Sequence, residues 1–267
     1  MGLALITDAA IATTVGAGAF ASASAGVGSS LTVRNSQLSS PVALYDMWKE
    51  AVTAGQIQIT SPKIVPISHG IQAATGTGVA DFLLHGPPYQ ALTPQDQLTM
   101  QLSGGATEAI VGCIQAYYNE LPGIEMRLKT PSEIEPVTEF VFGYEVAAVA
   151  SATPGGQGNT NILTSYDGTT ANRWYALLGY ITATPVAAVG ISGIDTSASF
   201  VGGPGDTNPY LTSHYFADLS MRSGKPCIPL FNAANKGNTN VTVVDRIAST
   251  TTKVTLVLAE LQGGYEP

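Results

Sequence analysis

Three histidines, two cysteines and a few acidic residues are the groups best suited to chemistry in this chain of 267 residues, and their spacing gives them little to do. His69, His85 and His214 lie in ISHGI, LLHGP and TSHYF, without an HExxH pattern or metal-ligand spacing, so each is expected to be structural or on the surface. His214 is expected to be a half-buried packing residue. Cys113 (IVGCIQ) and Cys227 (KPCIPL) sit in apolar runs and read as small buried hydrophobes. A disulfide between them stays open, and no CxxC or Cys/His zinc spacing is present. Glu133 and Glu135 would suit a two-carboxylate acid/base pair, but the flanking prolines place them in a solvated loop. Asp195 and Asp206 lie on loops and are of a type that binds calcium, but ligand clustering around them is too thin to assign a site. Gly155–Thr160 (GGQGNT) lacks the GK[ST] of a phosphate loop, and GGPGD after Val201 lacks the strand–GxGxxG–helix setting of a dinucleotide site. Gly190-Ile191-Ser192-Gly193 misses the GxSxG spacing of a nucleophile elbow, and the N-x-T sequon at Asn240 is expected by chance. The expectation is a protein that is not an enzyme, with no catalytic, cofactor-binding or metal-binding residues.

The elements that would carry these residues are mostly strands. Leu31–Arg34 reads as a short strand. A helix is then expected over residues 40–55, with Ser40 as cap, Pro41 at the first turn, Leu44, Met47, Trp48 and Ala51 at helical spacing, and Gly55 at the end. Beyond it, Gln56–Thr60 alternates. Gln97–Ser103 places Leu98, Met100 and Leu102 on one side and polar residues on the other, the pattern of a half-buried strand. Ala109–Tyr118 is apolar on both sides and reads as a central strand, and Thr130–Pro136 (TPSEIEP) reads as an exposed connector. Val137–Ala150 reads as one strand or two, and Pro154–Asn161 as a loop. Trp174–Thr184 and Val186–Ile191 read as strands, and Phe200–Pro209 as a long Gly/Pro loop. Tyr210–Arg222 is expected to be a second helix, with Asn208 and Pro209 at its start, Leu211, Tyr215, Phe216 and Leu219 on one side, and Gly224 at its end. Cys227–Phe231, Asn240–Ile247 and Lys253–Leu261 complete the strands. Tyr117, Tyr118, Trp174, Tyr175 and Tyr180 read as core or interface anchors.

The pattern defines a mainly β protein of two antiparallel β-sandwich or jelly-roll units with one helix each. Residues 1–30 are expected to be an N-terminal arm, 31–130 the first sandwich and 131–267 the second. Met1–Ser30 is rich in small residues, but it lacks the basic start of a secretory leader, and Asp8 interrupts its apolar run. Charged residues make up 11% of the chain and apolar residues 45%, against about a quarter charged in an ordinary soluble domain. Neutral surface is easily buried against neighbours because few ions must lose water. The net charge of −8, with eleven Lys and Arg spread thinly, argues against direct nucleic-acid binding.

The segment Tyr89–Gly123 resembles structural proteins of bacterial viruses, as does Val201–Asn238 with its VGGPGD, Tyr210–Arg222 and KPCIPLFNAANKGN stretches. Over residues 31–262 the plan resembles the double jelly-roll major coat proteins of tailless, membrane-containing icosahedral phages, although the chain is short for two full barrels. That resemblance implies a capsid protein of the virion, with copies of itself as partners in a trimer within a larger shell. It also implies other virion proteins alongside and an internal membrane beneath. The alternatives are another virion component (a single-barrel coat, a decoration protein or a fibre) or a secreted adhesin or carbohydrate-binding module.

Overall fold

The computed structural model describes residues 5–15, 21–22, 25–26, 30–32, 42–63, 71–72, 76–80, 90–103, 109–119, 128–150, 157–161, 170, 172–184, 186–193, 196–205, 209–224, 226–244 and 251–267. The first half contributes ten strands: β1 (Leu5–Val15), β2 (Ala21–Ser22), β3 (Ala25–Gly26), β4 (Ser30–Thr32), β5 (Val42–Thr60), β6 (Ile71–Gln72), β7 (Gly76–Ala80), β8 (Gln90–Leu92), β9 (Gln97–Ser103) and β10 (Ala109–Asn119). The second contributes β11 (Leu128–Lys129), helix α1 (Pro131–Ile134), a 3-10 turn at Glu135–Val137, β12 (Thr138–Ala150), β13 (Gln157–Asn161), β14 (Trp174–Thr182), β15 (Val186–Gly193) and β16 (Thr196–Gly205). Helices α2 (Pro209–Thr212) and α3 (Tyr215–Ser223) follow, then β17 (Ile228–Asn232), a 3-10 turn at Ala233–Asn238, β18 (Asn240–Val244) and β19 (Thr251–Leu261). The molecule is mainly β, and every strand pairing is antiparallel.

In the second half the strand order is informative. One sheet runs β11-β17-β14-β19-β12 and the other β13-β18-β15-β16. Counting β12 to β19 as first to eighth, the sheets hold first–eighth–third–sixth and second–seventh–fourth–fifth. That interleaving is a jelly roll, two Greek keys wound into a sandwich. Its core lies between the sheets. Tyr144 and Val146 of β12, Tyr180 of β14, Val189 and Ile191 of β15, Val241 and Val243 of β18, and Val254, Leu256 and Leu258 of β19 are all buried in one cluster.

The first half repeats the pairing. β1 pairs β10, β10 pairs the Val42–Ala51 part of β5, and that part also pairs β7 and β8. On the other side β2 and β4 pair β9, β9 pairs the Gln56–Thr60 part of β5, and this part pairs β6. One long strand thus serves as third strand in one sheet and fourth in the other, changing sheets in the irregular stretch between Ala51 and Gly55. Among the described residues, no strand up to Asn119 pairs with a strand from Leu128 onward. The halves still meet, because β1 lies beside β16, and β5 approaches both β15 and β16. Accordingly Val186, Ala188, Val189 and Ile191 of β15 are all buried, a strand covered on both faces.

Several expectations need correction. Residues 42–60 form a strand rather than the helix expected over 40–55, and the described helices all lie in the second half, not one in each. The register of β5 on β10 skips a residue between Leu44 and Asp46. Such a bulge resets the two-residue period, so an apolar spacing of three fits a strand as well as a helix. The stretch expected to be an arm holds β1, which pairs along all eleven residues with β10. Its Ile, Thr and Val residues suit a pleated strand, and β10 needs partners on both sides. Two presumed Gly/Pro loops contain strands, since Gln157–Asn161 is β13 and Thr196–Gly205 is β16. Thr130–Pro136 is exposed at Ser132, Glu133, Glu135 and Pro136, as expected, but it is helical rather than open. Glu133 turns back to accept from the Thr130 N–H at 2.8 Å and its hydroxyl at 2.9 Å, starting α1, and Ile134 is buried.

The second helix was correctly placed but is broken at Ser213–His214, and Gly224 ends it in the left-handed region at φ 65°. Tyr215, Phe216 and Leu219 face inward, and Tyr215 and Phe216 pack on Tyr180 with ring centroids 5.9 and 6.1 Å away. Glycines make room for this seat. A Cβ on Gly179 would strike the backbone of Thr212 and Ser213, and one on Gly203 would strike the Tyr215 ring and the Tyr180 hydroxyl. Gly179→Ala, which meets backbone rather than a movable side chain, is therefore expected to cost about 3 kcal/mol, read as a lower urea midpoint at unchanged m-value.

Candidate assembly surface

No constellation for chemistry assembles among the described side chains. Glu133 and Glu135 are exposed on α1 and the turn after it, and Glu133 pairs with Lys129 at 3.6 Å. Burial alone would raise the Glu133 pKa, but hydrogen bonds from Thr130 and the charge of Lys129 outweigh it and hold the carboxyl below its ordinary value. His214, expected to be half-buried, is exposed at the start of α3, with Nδ1 3.1 Å from the Ser213 hydroxyl. The break between α2 and α3 turns it outward. Cys227 is a buried thiol in the core. The side chain of Cys113, and those of Tyr117 and Tyr118, lie outside the described residues, as do His69, His85, Asp195 and Asp206 entirely. Trp174, Tyr175 and Tyr180 are core anchors, as their apolar setting implies. Among the described residues, no group of three or more His, Cys, Asp or Glu is placed to hold a metal ion, and no helix is long and apolar enough to cross a membrane.

Two buried carboxylates were not legible in the sequence. In the first half Asp96 is buried where the turn at Thr93–Asp96 enters β9. It accepts from the Ser61 hydroxyl at the end of β5 and from the Gln97 N–H at 2.9 Å, so a hydroxyl and an amide replace its lost water. In the second half Glu260 of β19 is buried opposite Tyr175 of β14 and accepts from the Tyr175 hydroxyl at 2.7 Å. Arg173 Nε stands 3.8 Å from the same carboxylate, while Nη1 donates to Glu139 at 2.8 Å and to the Leu261 carbonyl at 3.0 Å. Burial first, and then the bond to Glu260, push the Tyr175 phenol above its ordinary value. Only the strand pairing brings these residues together, across 34 to 88 positions of sequence.

The outer surface is where the molecule offers something to a partner. Large apolar side chains stand exposed at Phe140 (49%) and Val141 (52%), at the start of edge strand β12, and at Tyr210 (92%) and Met221 (63%) on α2 and α3. β12 is thirteen residues long and, among the described residues, pairs only with β19. A long edge of that kind is a natural place for another chain to sit. Described cations near it are already matched within the chain: Lys253 meets Glu145 at 2.7 Å, and Arg173 meets Glu139.

No family model matches the chain, and no curated protein matches it. Among solved structures, the major capsid protein P2 from bacteriophage PM2 is 7% identical, with 97% of this chain and all of that one covered, at a TM-score of 0.23. The PBSX exported protein XepA is 15% identical over 94% of this chain and 86% of that one, with a TM-score of 0.28. The protein YhaK from Escherichia coli is 8% identical over 96% and 86%, with a TM-score of 0.21. At such TM-scores the likenesses carry no argument, and function rests on the chain's own strand order and surface.

Tyr175→Phe deletes the one hydroxyl that donates to the buried Glu260 carboxylate while keeping the ring's packing on Phe231. It is expected to lower stability by about 2 kcal/mol in chemical denaturation at neutral pH, the cost of a buried charged acceptor losing its donor.

Proposed function

We propose that this chain is a structural coat subunit of a virus, a capsid protein that packs against copies of itself as trimers within a larger shell and performs no catalysis. The observation that carries the reading is the strand order: the eight-position interleaving of β12 to β19 recurs in the pairing of β1 to β10. Jelly rolls serve as coat domains and also as lectin domains. Two in succession, one built from β1 to β10 and one from β12 to β19, fit the double jelly-roll plan. The surface supports the same reading. Only 11% of residues are charged, so covering much of this molecule desolvates few ions. Burying the exposed part of Phe140 and Val141 against a neighbour would contribute on the order of 1 kcal/mol each. Other virion proteins, and a membrane beneath the shell in place of direct genome contact, fit the net charge of −8.

Sedimentation velocity of the purified chain tests the proposal. Trimers or larger shells are expected over micromolar concentrations. Val141→Glu, an exposed change on the edge strand, is expected to weaken association at least tenfold, or about 1.4 kcal/mol, at unchanged thermal stability. A chain that stays monomeric at every concentration and binds glycans would overturn the coat reading in favour of an adhesin.

A further inference from the structure

We propose that Arg173 and its two carboxylate partners form an acid-released latch, which opens one end of the second sandwich while the rest of it stays folded. The place of the latch in the fold carries this inference. Arg173 lies just before β14, and its guanidinium touches three separate elements: Glu139 at the start of β12, buried Glu260 near the end of β19, and the Leu261 carbonyl where β19 gives way to the C-terminal tail. The carbonyl of Arg173 accepts from the Ala233 N–H at 2.9 Å, which ties in the turn after β17. The tail folds back on the same end, with the Gln262 N–H donating to the Val137 carbonyl at 2.8 Å. One cation therefore joins the beginnings of β12 and β14 to the end of β19.

Beneath it lies an apolar row that the latch keeps aligned. Phe140 packs on Phe142 with centroids 5.4 Å apart, Phe142 meets Tyr175 edge-on at 6.0 Å, and Tyr175 stacks on Phe231 at 5.7 Å. Phe140 is already half-exposed at the outer end of this row. If Glu139 takes up a proton, Arg173 keeps its charge but loses the carboxylate it meets at 2.8 Å. A cation with a side chain only 23% exposed is then better placed in water, and the start of β12 and the tail are the segments free to move with it.

The acidic direction follows from the groups present. Facing Arg173 are Glu139 from β12, Tyr175 from β14 and Glu260 from β19. Glu133 is engaged by Thr130 and Lys129, Glu135 and Glu266 are exposed, and β17 carries no titratable side chain. The side chain of Lys236, in the turn after β17, is outside the described residues. The hydrogen bond from Arg173 holds the Glu139 carboxyl below its ordinary value of 4.5. Its contribution is therefore complete above that pH and is lost as pH falls through the lower, folded value.

Hydrogen exchange by mass spectrometry, corrected for intrinsic rates at each pH, reads the latch directly. As pH is lowered from about 7 through the acid titration of Glu139, peptides covering residues 137–142 and 261–267 are expected to exchange at least tenfold faster, while residues 186–193 of β15 keep their protection. In Glu139→Gln/Glu260→Gln the two end segments are expected to be open already at neutral pH, with no further acid step. Glu139→Gln alone changes an exposed carboxylate and is expected to fold, with a raised neutral rate and a smaller step. An acid step of full size in these variants would overturn the proposal. So would loss of protection in β15 at the same pH as in the tail.

Discussion

Each unit depends on the placing of its last strand. β19 lies between β12 and β14 and pairs with both along most of its length, while Val254, Leu256 and Leu258 fill the centre of the core from its inner face. Until β19 is inserted, β12 has no partner among the described strands and one edge of β14 is unpaired. β10 has the same position between β1 and β5. A backbone amide removed from water must find a partner, so neither sheet can close before its final strand arrives. Pairings that join the first and last strands of a unit span 94 residues at Val15 with Ala109 and 108 at Val146 with Val254. They cost loop entropy before any burial compensates, and slow folding with exposed intermediate edges is the physical consequence.

A second constraint fixes the helices. The connection from β16 to β17 must cross from one sheet to the other, and it does so as α2 and α3, seated against β14. The backbone at Thr212–Ser213 comes so near Gly179 that no side chain fits there. On the opposite sheet Gly203 leaves space for the Tyr215 ring, which also packs on Tyr180. The glycines of β16 thus serve close packing, and their presence in a strand follows from what lies against them rather than from any turn.

That distinction marks how far the sequence could be read. Gln97–Ser103 and the Lys253–Leu258 part of β19 were legible because one face of each is buried and the other is more open to water, which writes a period of two into the chain; Leu98 and Leu102 are buried while Gln97 is exposed. Gly224 was legible because only its backbone conformation matters. Residues 42–60 were misread because a bulge shifts the pattern, and because one strand continues through two sheets, for which no local signal exists. β13 and β16 were misread because their Gly-rich composition answers to neighbours distant in sequence. The Arg173–Glu260–Tyr175 cluster was illegible for the same reason, since its members meet only after β14 and β19 have paired. The exposed surface was not readable, because it depends on which positions the pairing turns outward.

The sparse charges then acquire a role. Glu139, Arg173 and Glu260 close one end of the second sandwich, Lys129 and Glu133 stabilise the first turn of α1, and Lys253 and Glu145 pair across β19 and β12. Each is committed to a neighbour on the same chain. The exposed pairs, Lys129 with Glu133 and Lys253 with Glu145, contribute little to stability, about 0–1 kcal/mol, but they neutralise the surface locally. A face dressed in this way can be covered without stranding an ion, and it gives little long-range repulsion between copies despite the net negative charge. With these charges paired within the chain, the edge of β12 and the exposed side chains of Phe140, Val141, Tyr210 and Met221 are the apolar features left on the described surface.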